Sequence, residues 1–73
     1  MDRVIGEVYK NRNERFRVSE KEYKGYKFID VRVWYEDDFG DLKPTKKGIS
    51  ISPKCVPDLI EVILQGMEEM GEV

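Results

Sequence analysis

The feature that most restricts the fold of this chain is a change in apolar period at Ser52. Beyond it, Val56, Leu59, Ile60, Ile63, Leu64 and Met67 fall at i, i+3, i+4, i+7, i+8 and i+11, a single stripe along one side of a helix. Ahead of it the pattern is that of strands. Val4–Tyr9 reads as a short strand and Lys10-Asn11-Arg12-Asn13 as the turn that follows. In Arg15–Tyr23, Phe16 and Val18 point one way while Arg15, Arg17, Ser19, Lys21 and Tyr23 point the other. Lys24-Gly25 supplies a tight turn. Tyr26–Tyr35 is the strongest strand, rich in β-branched and aromatic residues. Glu36-Asp37-Asp38-Phe39-Gly40-Asp41 is a polar hairpin loop, and Leu42–Ser52 returns as a strand in which Pro44 marks an edge or a bulge. Ser52-Pro53 has the form of an N-cap with Pro at the first helical position. Pro57 either starts the helix or bends it, and Gly66 weakens the later turns by about 1 kcal/mol relative to Ala. The predicted fold is α+β, a four-stranded curved antiparallel sheet followed by one C-terminal amphipathic helix (ββββα), with residues 1–73 in a single domain.

At 73 residues the core is small, and such cores supply only about 3–5 kcal/mol of net stability. The usual supplements are few here. The one cysteine, Cys55, cannot close an intrachain disulfide and is expected to be a buried small apolar residue; without histidine the common zinc ligand sets cannot be assembled. Dimerisation is the remedy left. The stripe of Val56, Leu59, Ile60, Ile63, Leu64 and Met67 is therefore expected to pack on the sheet and across a two-fold axis, giving a homodimer. No apolar run approaches a membrane span of ~18–20 residues, and MDRVIGEVYKN is charged too early for a signal peptide. These readings place the protein in the cytoplasm, nucleoid-associated if the source is prokaryotic, with a prokaryotic or viral source fitting better than a secreted one.

The net charge of −2 hides an uneven distribution. Residues 53–73 hold Lys54 against Asp58, Glu61, Glu68, Glu69 and Glu72. Residues 10–32 hold Lys10, Arg12, Arg15, Arg17, Lys21, Lys24, Lys27 and Arg32 against Glu14, Glu20, Glu22 and Asp30. If the helix covers the face that carries Ile29, Val31 and Val33, the opposite face collects Arg15, Arg17, Lys21, Tyr23, Arg32 and Trp34, which are poor core material. Cations interleaved with rings suit a phosphate backbone with unpaired bases, each base stack being worth roughly 1–3 kcal/mol. Duplex hides its base faces, so such a surface favours single strands. Asp30, beside Arg32 and Lys27, is expected to pair with a basic side chain and orient it.

Catalysis has little to stand on. The chain has no histidine, no Gly-rich phosphate loop and no helix-opening GK[ST], and the acidic loop residues Glu36, Asp37, Asp38 and Asp41 lack the Gly and terminal Glu of a calcium loop. A non-enzymatic protein without metal or cofactor is expected.

The run Tyr23-Lys24-Gly25-Tyr26-Lys27-Phe28-Ile29-Asp30-Val31-Arg32-Val33-Trp34-Tyr35-Glu36-Asp37, and still more Gly40-Asp41-Leu42-Lys43-Pro44-Thr45-Lys46-Lys47-Gly48-Ile49-Ser50-Ile51-Ser52-Pro53, resembles the positive cofactor four family of transcriptional coactivators. The signature is an aromatic-Lys-Gly turn, an I-D-V-R strand, and K-P-x-K-K-G-I-S leading into a helix. The resemblance implies a homodimeric single-stranded-DNA-binding domain with two strand-binding channels. It implies that Tyr23 takes the place of an aromatic base-stacker and Tyr35 that of a stacking Trp, with Trp34 immediately before it. Arg32, Lys43, Lys46 and Lys47 fall on basic, backbone-contacting positions, with Lys24 in the turn beside them. The eukaryotic members carry a Ser- and Lys-rich N-terminal tail, and regulation through such a tail is not expected to carry over.

Strand alternation and the resemblance disagree over the stacking ring. Alternation sets Trp34 beside Arg32 and Tyr35 beside Val31 and Val33, and a bulge near the strand end would reverse this. Either ring could instead serve the core or a dimer contact, and Lys46-Lys47-Gly48 could simply protect an edge strand. The nucleic-acid-binding set is thus Arg15, Arg17, Lys21, Tyr23, Lys24, Arg32, Trp34, Tyr35, Lys43, Lys46 and Lys47. The expected function is largely sequence-independent single-stranded DNA binding, in transcription, replication or repair, with the transcription machinery as a further partner. The alternatives are RNA binding, or a dimeric module that bridges regulatory proteins through its acidic helix.

Overall fold

The computed structural model describes residues 2–71 and contains one four-stranded antiparallel sheet in the order β1-β2-β3-β4, followed by a helix. The strands are β1 (Arg3–Tyr9), β2 (Glu14–Tyr23), β3 (Tyr26–Glu36) and β4 (Leu42–Ile51). A 3-10 turn over Pro53–Cys55 leads into α1 (Val56–Met70). Element order and type agree with the sequence reading.

The turns follow from their residues. Lys24 and Gly25 both have positive φ, 50° and 83°, the geometry that matches a two-residue hairpin to the twist of its strands. In the first hairpin the Asn11 side-chain oxygen accepts from the Asn13 and Glu14 backbone N–H groups, fixing the loop from within. Asp37 does the same in the third, accepting from Phe39 and Asp41 N–H, which leaves Phe39 at the tip 90% exposed.

The helix begins later than Ser52 suggested. Ser52 caps only the 3-10 turn and makes no side-chain cap bond. Pro57 lies in the first turn of α1, where its missing N–H costs nothing, so it starts the helix and does not bend it. At the far end Gly71, with φ 76°, donates its N–H to the Glu68 and Met67 carbonyls.

Two packing expectations are corrected. The helix stripe does not pack on its own sheet: α1 has no buried residue, its main neighbour is the 3-10 turn, and Ile60, Ile63 and Leu64 are each more than half exposed. Only Ser52–Cys55 separates β4 from α1, too short and too proline-constrained a link for the helix to fold back over the strands. Cys55 is exposed and not buried as expected, because it sits in that link between β4 and α1. The molecule is accordingly flat, 40 × 35 × 18 Å. Val33, 5% exposed, is the one buried apolar residue among those described. No described helix is long and apolar enough to cross a membrane.

Candidate nucleic-acid interface

Strand register sorts the side chains into two faces. On one, rows run across the sheet as Tyr9, Arg15, Trp34 and Pro44; Glu7, Arg17, Arg32 and Gly48; Val4, Ser19, Asp30 and Ser50. Lys21 opposite Phe28 and Tyr23 opposite Tyr26 extend this face toward the β2–β3 turn. The other face carries Val8, Phe16 and Val33, with Val18, Val31 and Ile49 in the next row and Ile29 with Ile51 beyond. Arg15, Arg17, Lys21, Tyr23, Arg32 and Trp34 therefore share one face, as the alternation predicted.

The irregularity near the strand end lies in β4 and leaves β3 regular. Arg32 pairs with Gly48 and Trp34 with Pro44, so Thr45, Lys46 and Lys47 all stand against Val33. Thr45 stitches this bulge together: its hydroxyl donates to the Val33 carbonyl at 2.7 Å and accepts the Lys47 N–H at 3.1 Å. The extra residues displace Lys46 and Lys47 outward, where both are exposed. Because β3 keeps its alternation, Trp34 lies with the arginines. Tyr35, with its neighbour Lys43, lies on the apolar face. The expected set is thus divided, and the position the resemblance assigns to a stacking ring points away from Arg17 and Arg32.

Asp30 is 3% exposed and anchors the centre of the face. It accepts two hydrogen bonds from Arg32, from Nε at 3.1 Å and Nη2 at 3.0 Å, while Arg32 Nη1 donates to the Thr45 carbonyl at 3.0 Å. Such a fork fixes the guanidinium plane as well as its position. Lys21 Nζ lies 3.8 Å from Asp30, and the Ser50 hydroxyl donates to it at 3.4 Å. Burial pushes the Asp30 carboxyl up, but Arg32, Lys21 and Ser50 outweigh it and hold the group below the usual carboxylate value. The expected pairing of Asp30 with a basic residue is present in Arg32; Lys27 points to the other face and pairs with Glu20 instead.

Toward β1 the cations meet rings and a carboxylate. The Arg17 guanidinium lies 4.1 Å from the Trp34 ring centroid, Arg15 lies 4.8 Å from Tyr9, and Lys24 Nζ lies 5.4 Å from Tyr23. Glu7 accepts from Arg17 Nε at 2.6 Å and from Arg15 Nη1 at 3.4 Å. These contacts, led by the Arg17 hydrogen bond, hold the Glu7 carboxyl below its ordinary value. Arg15 also approaches Glu36 at 3.9 Å. Lys43 lies 4.0 Å from Asp37. A cavity of about 190 Å³ opens beside Trp34, lined by Asp2, Arg3, Val4, Arg17, Ser19 and Lys21.

Sequence reasoning missed Glu7, Tyr9 and Thr45. Glu7 and Tyr9 alternate onto the same face as Arg17 and Arg15, a signal visible once β1 is paired with β2. Nothing in the sequence pattern foretells the Thr45 stitch, which exists only because of the bulge.

The protein-family model for transcriptional coactivator p15 (PC4) matches residues 10–62. The chain belongs to the transcriptional coactivator p15 (PC4) family. A crystal structure of a PC4 homolog from Burkholderia pseudomallei is similar over 92% of this chain and 90% of that one, with 36% identity and a TM-score of 0.86. A second crystal form of that homolog gives 35% identity and a TM-score of 0.83, over 90% and 97% of the two chains. A bacteriophage T5 homolog of the eukaryotic coactivator PC4, implicated in recombination-dependent DNA replication, shares the fold at 24% identity. Its TM-score is 0.72 over 96% of this chain and 81% of that one. Membership in the PC4 family agrees with the signature between Tyr23 and Pro53, which lies wholly inside the matched segment.

Proposed function

We propose that this PC4-family protein is a non-enzymatic homodimer that binds single-stranded DNA on the face carrying Arg15, Arg17, Arg32 and Trp34, largely without regard to sequence. The observation that carries the reading is the placement of Trp34 in one sheet face among these arginines, on a surface too polar to be a core. Its geometry suits an unpaired strand: cations at strand spacing for phosphates, and a ring for a base. Arg32, held by Asp30 and the Thr45 carbonyl, gives a fixed positive charge with only its remaining Nη hydrogens free to donate. Lys21 beside Asp30 adds charge to the centre, Lys46 and Lys47 supply exposed charge at the rim, and Lys24 with Tyr23 supplies a cation and a second ring at the hairpin end. Tyr35 and Lys43, on the opposite face, join only if the strand wraps around the β4 edge. Family membership supports a setting in transcription, and replication or repair would use the same chemistry; RNA is the milder variant, since stacking and phosphate contacts do not by themselves distinguish the sugar.

The dimer is argued from what one copy leaves uncovered. Much of the α1 stripe and of the apolar sheet face stays exposed, Ile60, Ile63 and Leu64 on the helix and Val8, Phe16 and Ile49 on the sheet, and Val33 is the one buried apolar residue among those described; a second copy of the chain offers the same complementary surfaces. Site and dimer separate on mutation. Replacing Lys46 and Lys47 by Ala should weaken oligonucleotide binding by about three- to tenfold and flatten its salt dependence, while the dimer stays intact. Unchanged binding would argue against the rim as a phosphate contact.

A further inference from the structure

Glu7 sits between two arginines of the polar face, Arg15 and Arg17. Its two oxygens face the two arginines nearest the stacking ring, at 2.6 Å from Arg17 Nε and 3.4 Å from Arg15 Nη1. Arg17, so held, lies over Trp34. Arg15 is incompletely satisfied, because its Nε–H is buried and has no hydrogen-bond partner. The rim is different: Lys46 and Lys47 are exposed and form no ion pair among the described residues.

We propose that Glu7 is an internal phosphate mimic that clasps Arg15 and Arg17 over Trp34, and that a strand phosphate must displace it before the ring can stack on a base. The inference rests on the single-strand reading of this face and adds to it a residue that opposes binding. An incoming phosphate matches the carboxylate in charge and donor preference, so the exchange conserves the arginines' hydrogen bonds. Displacement of Glu7 frees Arg17 to move with the phosphate and uncover the indole. Because Glu7 leaves one carboxylate beside the new phosphate, the wild-type face gains less from charge than its arginines alone would supply. Glu36 holds Arg15 more loosely than Glu7 does, at 3.9 Å.

The test is Glu7→Gln, with Glu20→Gln as a control that removes the same charge from the opposite face, where Glu20 pairs with Arg3 and Lys27. Binding of a labelled ~20-nucleotide single strand is followed by anisotropy across a salt series. Glu7→Gln should bind roughly two- to fivefold tighter, with a salt slope steeper by about 0.7, one further phosphate equivalent. Glu20→Gln should do neither. Equal gains in both variants, or no gain in Glu7→Gln, would overturn the clasp while leaving the binding face in place. No single-strand binding by the wild type would overturn both. A measurement on the unaltered protein covers the case of a poorly folded variant: the Glu7 side-chain carboxyl, followed by NMR, should titrate higher with oligonucleotide bound. An unchanged titration would overturn the proposal.

Discussion

Asp30 is the residue on which the geometry of the polar face most depends. A carboxylate this buried is tolerated because Arg32 forks onto it and Lys21 and Ser50 meet its oxygens. Asp30→Asn keeps the shape but removes the charge from a charge-assisted pair, a change expected to cost about 1.5–3 kcal/mol. Its pH signature has a definite sign. The Asp30 and Glu7 carboxyls are both held below their ordinary values in the folded state. Their contribution is therefore present above the unfolded carboxylate range of about pH 4 and is lost as pH falls through the lower folded values. The melting temperature of the wild type should thus decline steeply below about pH 4. Asp30→Asn should melt lower at pH 7 and lose less on acidification. Parallel pH profiles for the two proteins would mean that Asp30 carries no such linkage.

Among the elements, β4 does most to set the site. Its bulge carries Lys46 and Lys47 clear of the ladder, and Gly48 then brings the strand back against β3. A Cβ at Gly48 would lie 2.6 Å from the Val31 carbonyl oxygen and 2.9 Å from the Arg32 Cα, both backbone atoms that cannot swing aside. Gly48→Ala should therefore displace β4, destabilise the protein by about 1–3 kcal/mol, and weaken oligonucleotide binding through Arg32. Wild-type stability and affinity in that variant would show that the strands separate at little cost. This strand also marks the limit of what the sequence discloses. Alternation in β2 and β3 was enough to assign both faces, and Pro44 marked an edge or a bulge, of which β4 has both. Alternation could not say which strand held the extra residues, because that depends on pairing across the sheet. The choice between Trp34 and Tyr35 hung on that point. The helix period likewise identified the stripe from Val56 to Met67, but periodicity records only that a face is apolar. The short link through Pro53 and Cys55 decides that the chain's own strands do not cover it.

The whole molecule is a thin sheet with a helix beside it, and its apolar surfaces outnumber what one copy can bury. A 73-residue chain with a single buried apolar residue among those described has little to offset its conformational entropy alone. Sedimentation should find a dimer whose dissociation and unfolding are coupled, so that the melting temperature rises with protein concentration. Ile60→Asp, which sets a charge within the exposed stripe, should dissociate or unfold the protein. A fully dimeric, stable Ile60→Asp variant would place the interface elsewhere. The same dimer would carry two copies of the polar face, each presenting Trp34 and its arginines.

Anisotropy of a labelled ~20-nucleotide single strand and of the matching duplex, titrated with the unaltered protein over a range of salt, decides whether the polar face binds unpaired strands. Binding to the single strand should be tighter than to the duplex, with a salt slope of about −0.7 per phosphate contacted. Failure to bind either at low salt, or preference for the duplex, would contradict the single-strand reading of this face.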